Sequence, residues 1–165
     1  MSENAAAALK RLLRDVVAPA LRAEGLVGSA QTYLLPDASH WAQVGFQKST
    51  SSTADTVNLK VTGKDWWDEQ RRDHSPVKDT PPPGIDREQW DAERLKKSVY
   101  PVRPSVNTSG EGHTVRVGCL IPDVSADHWW VMTAATAEYE VAEALKAVVT
   151  YGLPWLRREV GATRP

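Results

Sequence analysis

No stretch constrains this chain more than residues 40–49, which read His-Trp-Ala-Gln-Val-Gly-Phe-Gln-Lys-Ser. Successive side chains of a strand point to opposite faces, so Ala42, Val44 and Phe46 fall on one side and Trp41, Gln43 and Gln47 on the other. Residues 56–62 repeat the pattern, with Val57, Leu59 and Val61 alternating with Asn58 and Lys60. Paired antiparallel, the two strands set Val44 and Phe46 beside Val57 and Leu59 and leave Gln43, Gln47, Asn58 and Lys60 together on the opposite face. The first face needs an apolar cover; the second is polar.

Two segments can supply that cover. Over residues 3–24, Leu9, Leu12, Leu13, Val16, Val17 and Leu21 follow the spacing of one helical stripe, with Ser2 placed to cap the helix and Gly25 to end it. Pro19 interrupts the pattern and predicts a kink across residues 15–19. Residues 137–159 form the second helix, with Val141, Leu145, Val148 and Trp155 near one face and a break at Gly152-Leu153, after which Pro154 sits in a renewed first turn. Residues 30–35 and the turn 36–39 complete a hairpin with the opening strand. Residues 114–121 predict a strand with Val115, Val117, Cys119 and Ile121 on one face, and residues 128–133 a last one.

The intervening segment, about 63–112, reads as a Trp- and Pro-rich helical insertion. Residues 64–74 suit a short helix in which only one of the adjacent Trp66 and Trp67 can point fully inward. Prolines at 76 and 81–83 exclude regular structure between it and a second helix over 87–98, which Asp86 and Gln89 cap and Ile85 and Trp90 staple. Pro101 and Pro104 limit residues 99–106 to an edge strand or an extended arm, and residues 108–112 are a turn cluster. The expected architecture is α+β: one domain spanning residues 1–165, an antiparallel sheet of about five strands, the N- and C-terminal helices on one face, and the insertion between strands.

A net charge of −1 gives no field to steer a polyanion, so nucleic acid and anionic membranes are disfavoured as partners. A single cysteine, Cys119, permits no internal disulfide, no apolar run approaches a membrane span, and residues 1–4 lack a secretory start. The expected compartment is the cytoplasm.

Several strings in order also resemble a bacterial family catalogued only as domain of unknown function 4304. They are Leu12-Leu13-Arg14 through Val17-Ala18-Pro19-Ala20-Leu21 and Gly25-Leu26, then Phe46-Gln47-Lys48-Ser49, Val57-Asn58-Leu59, Trp129-Trp130, and Tyr151-Gly152-Leu153-Pro154-Trp155-Leu156. The resemblance covers both ends and the first strands but not residues 64–112, and it brings no activity and no catalytic residues with it.

Motifs for chemistry are sparse. His40, His74, His113 and His128 stand singly, without the local ligand pair of a zinc site, so neither metal nor cofactor is expected. Cys119, placed among apolar residues of one strand face, reads as a small buried hydrophobe rather than a nucleophile. The candidate binding surface is the polar sheet face, with Gln43, Gln47, Asn58 and Lys60 as orienting groups on rigid strands and Trp66, Trp67 or Trp90 at its border. The leading function is therefore a non-enzymatic module that binds a protein or small molecule. The alternative is an enzyme, which requires His40, His113 or His128 to meet a carboxylate or Cys119 in a cleft. Nucleic-acid binding through Arg71-Arg72, Lys96-Lys97 or Arg157-Arg158 beside tryptophans comes third.

Overall fold

The computed structural model describes residues 4–50, 53–108 and 110–162. The chain begins with helix α1, Ala5–Leu12, capped by Asn4, whose side chain accepts a hydrogen bond from the Ala7 amide; the Ser2 cap expected from sequence lies outside the described residues. A π-turn, Leu13–Val17, leads without a break into α2, Ala18–Ala23. This turn stands where a kink was expected. Pro19 offers no amide to the carbonyl of Asp15 and would crowd it; the wider i→i+5 turn, seen in the bond from the Ala18 amide to the Leu13 carbonyl, absorbs the ring instead. Gly25 ends the helix with φ 89°, and Leu26 folds back into the core.

The sheet follows. Strands β1, Val27–Ser29, and β2, Thr32–Leu35, form a hairpin about Ala30, whose φ is 54°. The strand expected from residue 30 thus starts two residues later, and β1 is a further strand too short and exposed to show an alternation. Strand β3, His40–Lys48, pairs antiparallel with β2 and with β4, Ala54–Gly63, in the register Val44 to Leu59 and Phe46 to Val57. The inferred face-sharing of these four residues is what the structure shows.

Helices α3, Lys64–Asp73, and α4, Arg87–Lys96, pack together in the connection that follows β4. Trp67 is buried and Trp66 exposed, and the Asp86 side chain accepts from the Gln89 amide as its spacing implied. Strand β5, His113–Arg116, then pairs with β4. Here the expectation of a strand to residue 121 fails. The chain turns into a 3-10 segment, Val117–Leu120, in which Gly118 packs against His128 and the Ala126 carbonyl so closely that no Cβ would fit. Val117 dives into the core while Cys119 is exposed, so the reading of Cys119 as a buried hydrophobe is overturned. The last strand also shortens, to β6, Trp130–Val131, which pairs with the first residues of β4.

Helix α5, Ala137–Ala147, passes through a second π-turn, Val148–Gly152, into α6, Leu153–Ala162. The break expected at Gly152-Leu153 is absent: the amide of Leu153 reaches the carbonyl of Val148, and this i→i+5 step accommodates Pro154 as the first accommodates Pro19. The result is an α+β fold with sheet order β1-β2-β3-β4-β5 and β6 beside β4. Helices from both ends cover one face, where Leu12, Leu21, Val148 and Leu156 meet Val44, Phe46, Val57 and Leu59. No helix among the described residues is long and apolar enough to cross a membrane.

Candidate functional site

The opposite face of β3 and β4 carries the residues singled out from sequence. Residues 104–108 and 110–111 of the β4–β5 connection cross this face as an arm, and the polar side chains beneath them are its anchors. Gln43 Nε2 donates to the Pro104 carbonyl at 3.1 Å. Lys60 has no exposed surface; its ammonium donates to the carbonyls of Ser105 (2.8 Å) and Thr108 (2.7 Å) and to Glu111 Oε2 at 3.1 Å. Three donors meet three acceptors, which is the condition for burying an ammonium at tolerable cost. Asn58 Nδ2 donates to Gln47 Oε1 at 2.6 Å and Asn107 Oδ1 at 3.2 Å, and Thr62 donates to the Glu111 carbonyl. Two polar atoms on this face, Trp41 Nε1 and Gln43 Oε1, are buried with no hydrogen-bond partner among the described residues.

The tryptophans are dispersed. Trp67 stacks edge-on against Tyr100 and donates to the Pro101 carbonyl at 3.2 Å, which places it at the base of the arm. Trp66 stands out in solvent, and Trp90 Nε1 donates to the Lys78 carbonyl within the same connection. The four polar residues thus meet one another and the arm, whereas of the three tryptophans Trp67 bonds just ahead of it, at Pro101.

Two histidines do meet carboxylates. His40 Nδ1 lies 3.2 Å from Asp37 Oδ1, which also accepts from the amides of Ser39 and His40 and so shapes the β2–β3 turn. His113 Nδ1 lies 2.9 Å from Glu159 Oε2 on the open surface. Neither pair lines a cavity among those described.

The principal concavity is elsewhere, on a surface the sequence did not single out. A groove of about 540 Å³, within the range of small-molecule sites, runs along α1, the π-turn and α2 toward the β1–β2 turn. Leu9, Leu13 and Ala18 form its floor, and Ser29, Ala30 and Gln31 close one side. Lys10, Arg14, Arg22 and Lys48 rise around it, and no carboxylate is among the described residues that line it. Arg14 is paired with Asp15 at 2.6 Å and Arg22 donates to the Gly28 carbonyl, whereas Lys10 and Lys48 enter no ion pair among the described residues. A signal existed in the sequence, since Lys10, Arg14 and Arg22 recur on one side of the first helix. Lys48 joins them only through the tertiary fold.

One further group is perturbed. Asp55 is buried on β4, its Oδ1 without a hydrogen-bond partner, and desolvation pushes its carboxyl from 3.8 to about 7, offset in part by the Thr56 backbone and by Lys48. Among the described residues, no three His, Cys, Asp or Glu side chains gather as a metal site.

No curated protein and no solved structure matches this chain. A family model does: the one described as domain of unknown function, DUF4304, matches residues 17–158, and the chain accordingly belongs to that family.

Proposed function

We propose that this domain is a non-enzymatic binding module and that its working surface is the groove beside the first helix. The observation that carries the reading is the pairing of an apolar floor, Leu9, Leu13 and Ala18, with a rim whose described residues include four cations and no acid. Such a surface offers a partner both desolvation of apolar groups and complementary charge. In this reading the compartment is the cytoplasm, where an exposed unpaired thiol such as Cys119 stays reduced.

The polar sheet face is a second surface for the same role. The unpartnered Trp41 Nε1 and Gln43 Oε1 favour it, since a buried polar atom left unpaired costs about 1–3 kcal/mol and a ligand group can supply the missing bond. Using it requires the arm to lift.

Amide shift mapping of the isotopically labelled protein against a set of small acidic and neutral amphiphiles tests both. Shifts gathered on residues 9–18 and 29–31 support the groove. Shifts gathered on Gln43, Asn58 and Lys60 move the site to the sheet face, and no shifts anywhere sink the binding reading.

A further inference from the structure

We infer that the groove holds one hydrocarbon chain with an anionic head, a single-chain carboxylate of the fatty-acid type, a claim that rests on the groove being a binding surface at all. The first argument is shape. The wall runs from Ala6 to Arg22, about 24 Å at 1.5 Å per residue, long enough for an extended methylene chain laid along it.

The second argument is how the wall is made. In a regular α-helix Ala18, five residues after Leu13, would turn away from it, because side chains share a face at i+3 and i+4. The π-turn Leu13–Val17 spends one more residue per turn and brings Ala18 and then Arg22 back into line with Leu9 and Leu13. The groove therefore continues past Pro19 instead of ending there.

The third argument is charge. Lys10 and Lys48 flank the Ala6 end and keep their ammonium groups out of any ion pair among the described residues, while Arg14 and Arg22 are already engaged by Asp15 and the Gly28 carbonyl. The head group belongs between the two lysines, with the chain running over Leu9 and Leu13 toward the β1–β2 turn. Ala6 is the exposed residue at this end, so its side chain controls entry without supporting the core.

Titration calorimetry of the full chain with sodium tetradecanoate, kept below its micellar concentration, is the direct test. One-to-one binding is expected, with acetate and tetradecanol each at least tenfold weaker, because each lacks one half of the recognition. A Lys10→Glu, Lys48→Glu double variant and, separately, Ala6→Trp should each weaken tetradecanoate at least tenfold while the unliganded melting temperature stays within two or three degrees of the parent, about the shift a sub-kcal surface change gives. Absence of tetradecanoate binding, equal binding of tetradecanol, or indifference to both variants overturns the inference. If tetradecanoate fails while other amphiphiles still shift residues 9–18, the occupant is wrong and the groove stands; if nothing shifts them, the groove itself is not the site.

Discussion

Gly45 lies directly beneath Val106: a Cβ on Gly45 would overlap the Val106 side chain and approach Asn107 Oδ1 to 2.9 Å. The arm thus rests on bare backbone at the middle of β3. Gly45→Ala should push the arm outward and destabilise the fold by about 1–3 kcal/mol, the usual range for overpacking. A lowered urea midpoint together with faster amide hydrogen exchange at residues 105–108 checks this. An unshifted midpoint would mean the arm is not seated as described.

Lys60 is the arm's electrostatic anchor, with two carbonyls and Glu111 as its partners. Lys60→Met leaves the two carbonyls unpaired, while Glu111 retains some water, its side chain being 31% exposed. The expected loss is about 2–4 kcal/mol. Glu111→Gln keeps an acceptor and should cost about 1 kcal/mol or less. Equal losses for the two variants in denaturant titrations would contradict this division of roles.

Asp55 makes the fold sensitive to pH in a definite direction. Between its ordinary value of 3.8 and about 7, the unfolded chain has released the proton that the folded chain retains. The folded state then binds more protons, so stability falls as pH rises through that window and levels off above about 7. Asp55→Asn should flatten the dependence and make the protein more stable than the parent at pH 8, by no more than roughly 4 kcal/mol. Thermal melts from pH 4 to 8 test it; a parent curve that rises across this range would refute the assignment.

The adjacent tryptophans 66 and 67 should behave oppositely. Trp67 is 2% exposed and bonded to the Pro101 carbonyl, whereas Trp66 is 42% exposed. Trp67→Ala is expected to cost about 3–5 kcal/mol and Trp66→Ala to stay within about 0.5 kcal/mol of the parent. Chemical denaturation of the two variants side by side gives the comparison.

What the sequence made legible was set by periodicity. Val44, Phe46, Val57 and Leu59 alternate over strands long enough to fix a face, and that they share it followed from their parity alone. Parity failed after Arg116, where the apolar alternation of Val115, Val117, Cys119 and Ile121 continues through a 3-10 turn. The close approach at this turn is between Gly118 and residues eight and ten positions away, Ala126 and His128, and no local pattern records it. Likewise Gln43, Asn58 and Lys60 were correctly grouped, but what covers them is the extended arm after Pro104 rather than an indole roof, its carbonyls accepting from the Lys60 ammonium and the Gln43 amide. The groove was hidden for another reason. It exists only where Lys48, from the end of β3, meets a helix far from it in sequence.

Each π-turn, the one ahead of Pro19 and the one ahead of Pro154, carries one residue more than a regular helical turn would. Their consequence concerns chain length rather than residue type. Excising any one residue from 13–17 or 148–152 would regularise the hydrogen bonding yet rotate everything on one side by about 100°. In the first helix that swing would carry Leu9 and Leu12 off the sheet; in the second it would carry Val141 and Ala144 off it. Substitutions at these turns can be absorbed one at a time, but a deletion cannot, so both helices should hold a fixed residue count wherever this fold recurs.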